Sequence, residues 1–174
     1  MTRIVPLDTP ASRPAPGSRF DRLDAAITRV LARSGIPVLR IGLGIVFFWF
    51  GVLKFFPSLS PAEDLAARTI ETLTFGAVRP NLSLPVLATW ETVIGLGLIS
   101  ARFLRAILFL LAVQMLGTLT PLFLFPAETF SQFPFAPTLE GQYIIKNVVL
   151  IGAAMVVGST VRGGRIEPEA SASR

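Results

Sequence analysis

Cysteine and histidine are both missing from this chain of 174 residues. Without cysteine there is neither a disulfide framework nor thiol redox chemistry. Without histidine the commonest metal and haem ligand is gone, and with it the usual proton carrier near neutral pH. No metal, haem or iron–sulfur centre is therefore expected, and any redox role needs an organic cofactor or a partner subunit. Charge is scarce too. Only 16% of the residues are Asp, Glu, Lys or Arg, against about a quarter in an ordinary soluble domain. Nor is there a nucleophile with its base, a phosphate loop or a dinucleotide fingerprint, since Gly-Leu-Gly inside an apolar helix is not a nucleotide turn.

Apolar residues fill the space: 52% of the chain is hydrophobic and the mean hydropathy is +0.64. The length suits one compact unit. A net charge of +5 and a pI near 11 invite a nucleic-acid reading. The placement of the arginines excludes it, because they gather at the two ends and in one short turn, with no basic stripe interleaved with stacking aromatics. A lipid bilayer is the partner this pattern fits.

The run LRIGLGIVFFWFGVLKFF, residues 39–56, organises the rest. At ~1.5 Å per residue it crosses a ~30 Å hydrocarbon core as one helix. Three more spans follow. Together the four cover about 37–56, 82–100, 103–125 and 141–161, which predicts an all-α, transmembrane four-helix bundle. Pro121 is the expected kink in the third span. Residues 1–17, rich in proline and small residues without an apolar centre, read as a disordered arm and not as a signal peptide; residues 162–174 read as a disordered tail. Over 18–34, Phe20, Leu23, Ile27, Val30 and Leu31 recur at helical spacing, with Ser18 and Asp21 as a capping pair, so an amphipathic helix is expected on the cytoplasmic membrane surface. Ser34-Gly35-Ile36-Pro37 should end it and start the first span. From Ser60 to Phe75 a short interfacial helix is expected between the first two spans, opened by a serine cap, a proline and two acids. Phe130, Phe133 and Phe135 are badly spaced for a helix and predict a loop that dips into the interface.

Seven arginines precede the first span, counting Arg40; Arg102 and Arg105 mark the middle turn and three more lie in the tail. The loop after the first span has Arg68 and Arg79 offset by three acids, and the loop after the third has no basic residue. The positive-inside rule then puts both termini in the cytoplasm and both larger loops outside. Ile-Gly-Leu-Gly occurs in the first and the second span, and Gly42, Gly44, Gly95 and Gly97 are candidates for close helix approach, as are Gly97 with Ala101 and Ala154 with Gly158.

Depth picks out the residues that can carry chemistry. Lys54 lies within a turn of the outer end of the first span. Glu91 is nine residues into the second, ~13 Å, and Lys146 five into the fourth, ~8 Å. Gln114 and Thr118 on the third reach the same outer half, and Tyr143 and Asn147 flank Lys146. An isolated charge near the bilayer centre costs roughly 2.5–3.5 kcal/mol on insertion scales, so Glu91 should pair with Lys146 or Lys54. One reading is an outer-side polar pocket for a small anion or a quinone head group, with Trp49, Trp90 and Tyr143 flanking a planar ring. The other is an interhelical ion pair that fixes register, Lys54 snorkelling to the interface and the aromatics belonging to packing or to the interfacial belt.

Four segments, FFWFGVLKFFP (47–57), WETVIGLGL (90–98), TLTPLFLFP (118–126) and EGQYIIKNVVL (140–150), together resemble the DoxX-like family of bacterial inner-membrane proteins, in particular its YkgB branch. The resemblance implies a four-helix membrane bundle, and relatives linked to quinone-dependent sulfur oxidation or to oxidative-stress complexes. It carries over no catalytic residue. The function expected is a redox-linked or stress-response membrane subunit binding a quinone or small anion, with a soluble or membrane redox partner. The alternatives are a small-solute transporter or channel, for which four helices would need a homo-oligomer, and a membrane anchor recruiting soluble enzymes through its basic arm.

Overall fold

The computed structural model describes residues 19–56, 59–60 and 63–164. The expected disordered arm, the Ser18 cap, Pro61 of the expected Ser60 helix start and the tail beyond Gly164 lie outside the described residues. The chain divides into two units, Met1–Gly35 and Ile36–Arg174.

Seven helices and one short strand pair are seen among the described residues: α1 (Arg19–Leu53), α2 (Glu63–Leu73), α3 (Pro80–Ser100), α4 (Leu104–Leu119), α5 (Pro121–Leu124), α6 (Pro126–Thr129), β1 (Phe130–Gln132), β2 (Ala136–Pro137) and α7 (Leu139–Ser159). Four stretches are long and apolar enough to cross a membrane: Arg19–Leu53, Pro80–Ser100, Leu104–Leu124 and Leu139–Ser159. Most residues of each apolar stretch are not buried by protein. Large side chains such as Phe109, Leu116, Val149 and Met155 face outward, where only hydrocarbon would accept them. This is a multi-pass, all-α membrane protein.

One helix runs where two were expected. The expected stop at Ser34-Gly35-Ile36-Pro37 is not a helix end, and Pro37 lies inside α1. Proline removes one backbone donor and crowds the carbonyl four residues earlier, which bends or weakens a helix without obliging it to end. The Ser34 hydroxyl meanwhile donates to the Val30 carbonyl at 2.7 Å, a bond made within a helix.

In the second unit the core is built from α1 (Leu43, Phe47), α3 (Ile94, Leu98) and α4 (Ile107, Leu111, Met115), with Leu150, Ile151, Ala153 and Ala154 of α7 packed against it. α1 and α3 are antiparallel and close. A Cβ on Gly44 would lie 3.0 Å from the Gly95 carbonyl oxygen, and one on Gly51 would lie 2.7 Å from the Thr92 backbone nitrogen. Only glycine permits so near an approach. Of the glycines expected at close contacts, Gly44 and Gly95 sit at this seam, Gly97 abuts Ile107 of α4, and Gly42 faces open space. At the far end of the seam the Arg40 guanidinium donates to the Leu98 and Ile99 carbonyls, which closes the C-terminus of α3.

α3 and α4 are joined by Ala101, Arg102 and Phe103, with Ala101 (φ 58°) and Phe103 (φ 53°) left-handed. The helix breaks at Thr120, beside the expected kink at Pro121. The Phe-rich segment expected to be a loop contains a small antiparallel pair, Phe130 opposite Pro137 and Gln132 opposite Ala136. α7 is capped by Thr138, whose hydroxyl accepts from the Gly141 amide at 3.2 Å.

Candidate functional site

Lys54 follows directly on the last residue of α1, and Glu91 lies eleven residues past the start of α3, ~16 Å along it. The antiparallel seam brings them level, because rising numbers in α1 meet falling numbers in α3. Gly51, one turn before Lys54, lies against the backbone of Glu91 and Thr92. The Lys54 ammonium then reaches the Glu91 carboxylate: Nζ to Oε2 is 2.7 Å. The other carboxylate oxygen, Oε1, accepts from Gln114 Nε2 of α4 at 2.9 Å. Three helices thus converge on one carboxylate.

The two charged side chains are only 11% and 10% exposed, so the snorkelling expected of Lys54 is replaced by a buried ion pair. The reason is reach. Gly51 lets the helices touch, and the carboxylate then lies within hydrogen-bond distance of Nζ. Lys54 also points a longer contact, 3.4 Å, at the Phe50 carbonyl. Among the described residues, no buried side-chain nitrogen or oxygen lacks a hydrogen-bond partner.

Trp90 stands beside this cluster. Its indole N–H donates to the Leu110 carbonyl of α4 at 3.3 Å, which fixes the ring between α3 and α4. The remaining candidates are placed elsewhere. Thr118 donates to the Gln114 backbone carbonyl of its own helix at 2.9 Å. Trp49 is 64% exposed on the outer face of α1. Lys146, the alternative partner for Glu91, is exposed on α7 with its ammonium 5.5 Å from the centre of the Tyr143 ring. Asn147 donates to the Tyr143 carbonyl at 3.2 Å. Lys146 and Asn147 thus each interact with Tyr143 on α7, and the lysine beside Glu91 is Lys54. α7 is apolar nearly all round, so its sequence alone did not decide which face turns inward.

A second charged pair lies outside the spans. Both guanidinium nitrogens Nη1 and Nη2 of Arg68 on α2 meet the two carboxylate oxygens of Glu128 on α6, with Nη1 to Oε1 at 2.7 Å. The guanidinium also stands 5.5 Å from the centre of the Phe125 ring. The Arg68 hydrogen bond holds the Glu128 carboxyl below its ordinary value, and Glu128 raises Arg68 in turn. Sequence reasoning missed this pair, which joins residues sixty positions apart.

The DoxX family model matches residues 35–127. No curated protein and no solved structure matched the chain.

Proposed function

Because this chain belongs to the DoxX family, we propose that it is a redox-linked membrane subunit that holds a quinone-type head group at Lys54, Glu91 and Gln114. The observation that carries the reading is the convergence of a cation, an anion and an amide from three helices on one level inside an apolar bundle. A protonated lysine has three donors and a glutamine amide two. Lys54 spends one on Glu91 and makes a long contact to Phe50; Gln114 spends one on Glu91. Donors remain on both residues beside one carboxylate, and a neutral ring carbonyl is the group that takes them. Because Lys54 is already neutralised by Glu91, a small anion would be held without a net positive charge, and the neutral head group is the better ligand. The indole of Trp90 gives a planar ring a neighbour on α3.

We take the membrane to be a bacterial inner membrane, with both termini cytoplasmic and the cluster nearer the outer face; the arginine distribution supports this orientation.

Trp49→Phe leaves Trp90 as the single tryptophan and therefore as the reporter. A short-chain quinone titrated into that protein in lipid nanodiscs should quench Trp90 saturably, and Glu91→Gln should weaken the effect. Linear, unsaturable quenching, or saturation that Glu91→Gln leaves unchanged, would overturn the assignment and leave the cluster as a strut that fixes helix register.

A further inference from the structure

We propose that the helical segment of the first unit, residues 19–35, binds a membrane surface bearing anionic head groups, through an arginine border alongside its apolar face. Phe20, Leu23, Ile27, Val30 and Leu31 are at least half exposed, from 50% at Ile27 to 76% at Phe20. Ala26, Ile27, Val30 and Leu31 line a shallow apolar trough along that face. With about 3.6 residues per turn, Arg22, Arg29 and Arg33 stack on one border of it and Arg19 extends the row. Asp21, Asp24 and Thr28 fall on the other border. The positive charge is therefore one-sided and adjacent to the apolar residues, where a guanidinium reaches a phosphate while its stem lies on hydrocarbon.

Two features favour a lipid surface as the occupant. The segment holds four arginines against two aspartates, an excess that complements anionic head groups. It is also continuous in sequence with the apolar run that begins at Ile36, so a bilayer is tethered within reach at high effective concentration. Each basic residue near an anionic surface contributes roughly a fivefold gain in partitioning, and three together roughly a hundredfold. The inference is independent of the quinone reading.

The absence of cysteine makes the test clean. Ile27→Cys on the apolar face and Ala32→Cys on the polar face are each labelled in the full chain with an environment-sensitive fluorophore. The protein is then reconstituted into vesicles of phosphatidylcholine alone or mixed with phosphatidylglycerol. In the mixed vesicles the probe at position 27 should be blue-shifted and shielded from an aqueous quencher, while the probe at 32 stays in water. Omitting phosphatidylglycerol, or changing Arg22, Arg29 and Arg33 together to Gln, should move the probe at 27 toward water. Raised salt should do the same without altering any arginine. A water-like probe at 27 in the mixed vesicles would overturn the proposal. So would shielding that ignores lipid charge, salt and the arginines, or that grows with protein density, the mark of a second copy covering the face.

Discussion

Two carboxylate–cation pairs seen among the described residues look alike as chemistry and differ in their surroundings. Lys54 and Glu91 join α1 to α3 inside the bundle, each about nine-tenths buried. Arg68 and Glu128 join α2 to α6, with side chains 47% and 40% exposed. The outer pair has the better fork, two nitrogens on two oxygens, and an aromatic ring beside it. The inner pair has a single short contact and a glutamine. Geometry alone would rank the outer pair higher; solvent reverses the order. Water screens the exposed pair and would rehydrate either partner left alone. Around Lys54 and Glu91 no such rescue exists, so loss of one partner leaves an uncompensated charge in a low-dielectric interior.

The largest effect should come from removing half of the inner pair. Glu91→Ala strands Lys54 and should cost about 3–5 kcal/mol, the range for breaking a buried pair from one side. Thermal unfolding in detergent or nanodiscs reads it as a large drop in midpoint. A drop no greater than that of Arg68→Ala would break the comparison.

Next in size is the seam that brings the inner pair together. Gly51→Ala places a methyl 2.7 Å from the Thr92 backbone nitrogen, and overpacking of this kind costs about 1–3 kcal/mol. Gly42→Ala, in open space, is the control and should be neutral or slightly stabilising, since alanine is the better helix former. Equal losses at the two glycines would mean that the close approach of α1 and α3 is not what holds the pair.

A smaller effect, of opposite sign, is expected at the turn that sets α4 against α3. Ala101 adopts φ 58°, a conformation that costs an L-residue about 1–2 kcal/mol and glycine little. Ala101→Gly should therefore raise the unfolding midpoint slightly, offset in part by the extra freedom of glycine in the unfolded chain. A lowered midpoint would contradict that view of the turn.

The smallest effect belongs to the outer pair. Arg68 holds the Glu128 carboxyl below its ordinary value of 4.5. A carboxylate with a lowered folded-state value contributes stability above its ordinary value and loses it as the pH falls through the lowered one. The difference in midpoint between the parent and Glu128→Gln should be small and constant at neutral pH, and should vanish only below about pH 4.5, the ordinary value. A difference already lost near pH 6 would show that the Arg68 bond does not depress Glu128.

The four apolar stretches and the near-central acid of the second were legible in the sequence, because hydropathy and charge scarcity survive without knowledge of partners. Lys54 and Lys146 were both visible as candidates beside Glu91. Choosing between them required rotational phase, which an apolar run such as α7 carries weakly. The same gap hid Gly51: a glycine in such a helix looks alike whether it meets a neighbour or open space, as Gly51 and Gly42 do. Pro37 was over-read as a stop, since the local cost of proline does not decide whether a helix continues. Arg68 with Glu128 was invisible for another reason. Their meeting depends on how α2 and α6 are placed across sixty residues of chain, and no local pattern encodes that.

Paired double-mutant cycles on unfolding stability, Lys54→Met with Glu91→Gln beside Arg68→Met with Glu128→Gln, test the contrast most directly. The account predicts strong coupling for the inner pair, about 1–3 kcal/mol, so that the double variant loses far less than the sum of its singles. For the outer pair it predicts near additivity. Equal coupling at the two sites, or additivity at Lys54 and Glu91, would contradict it.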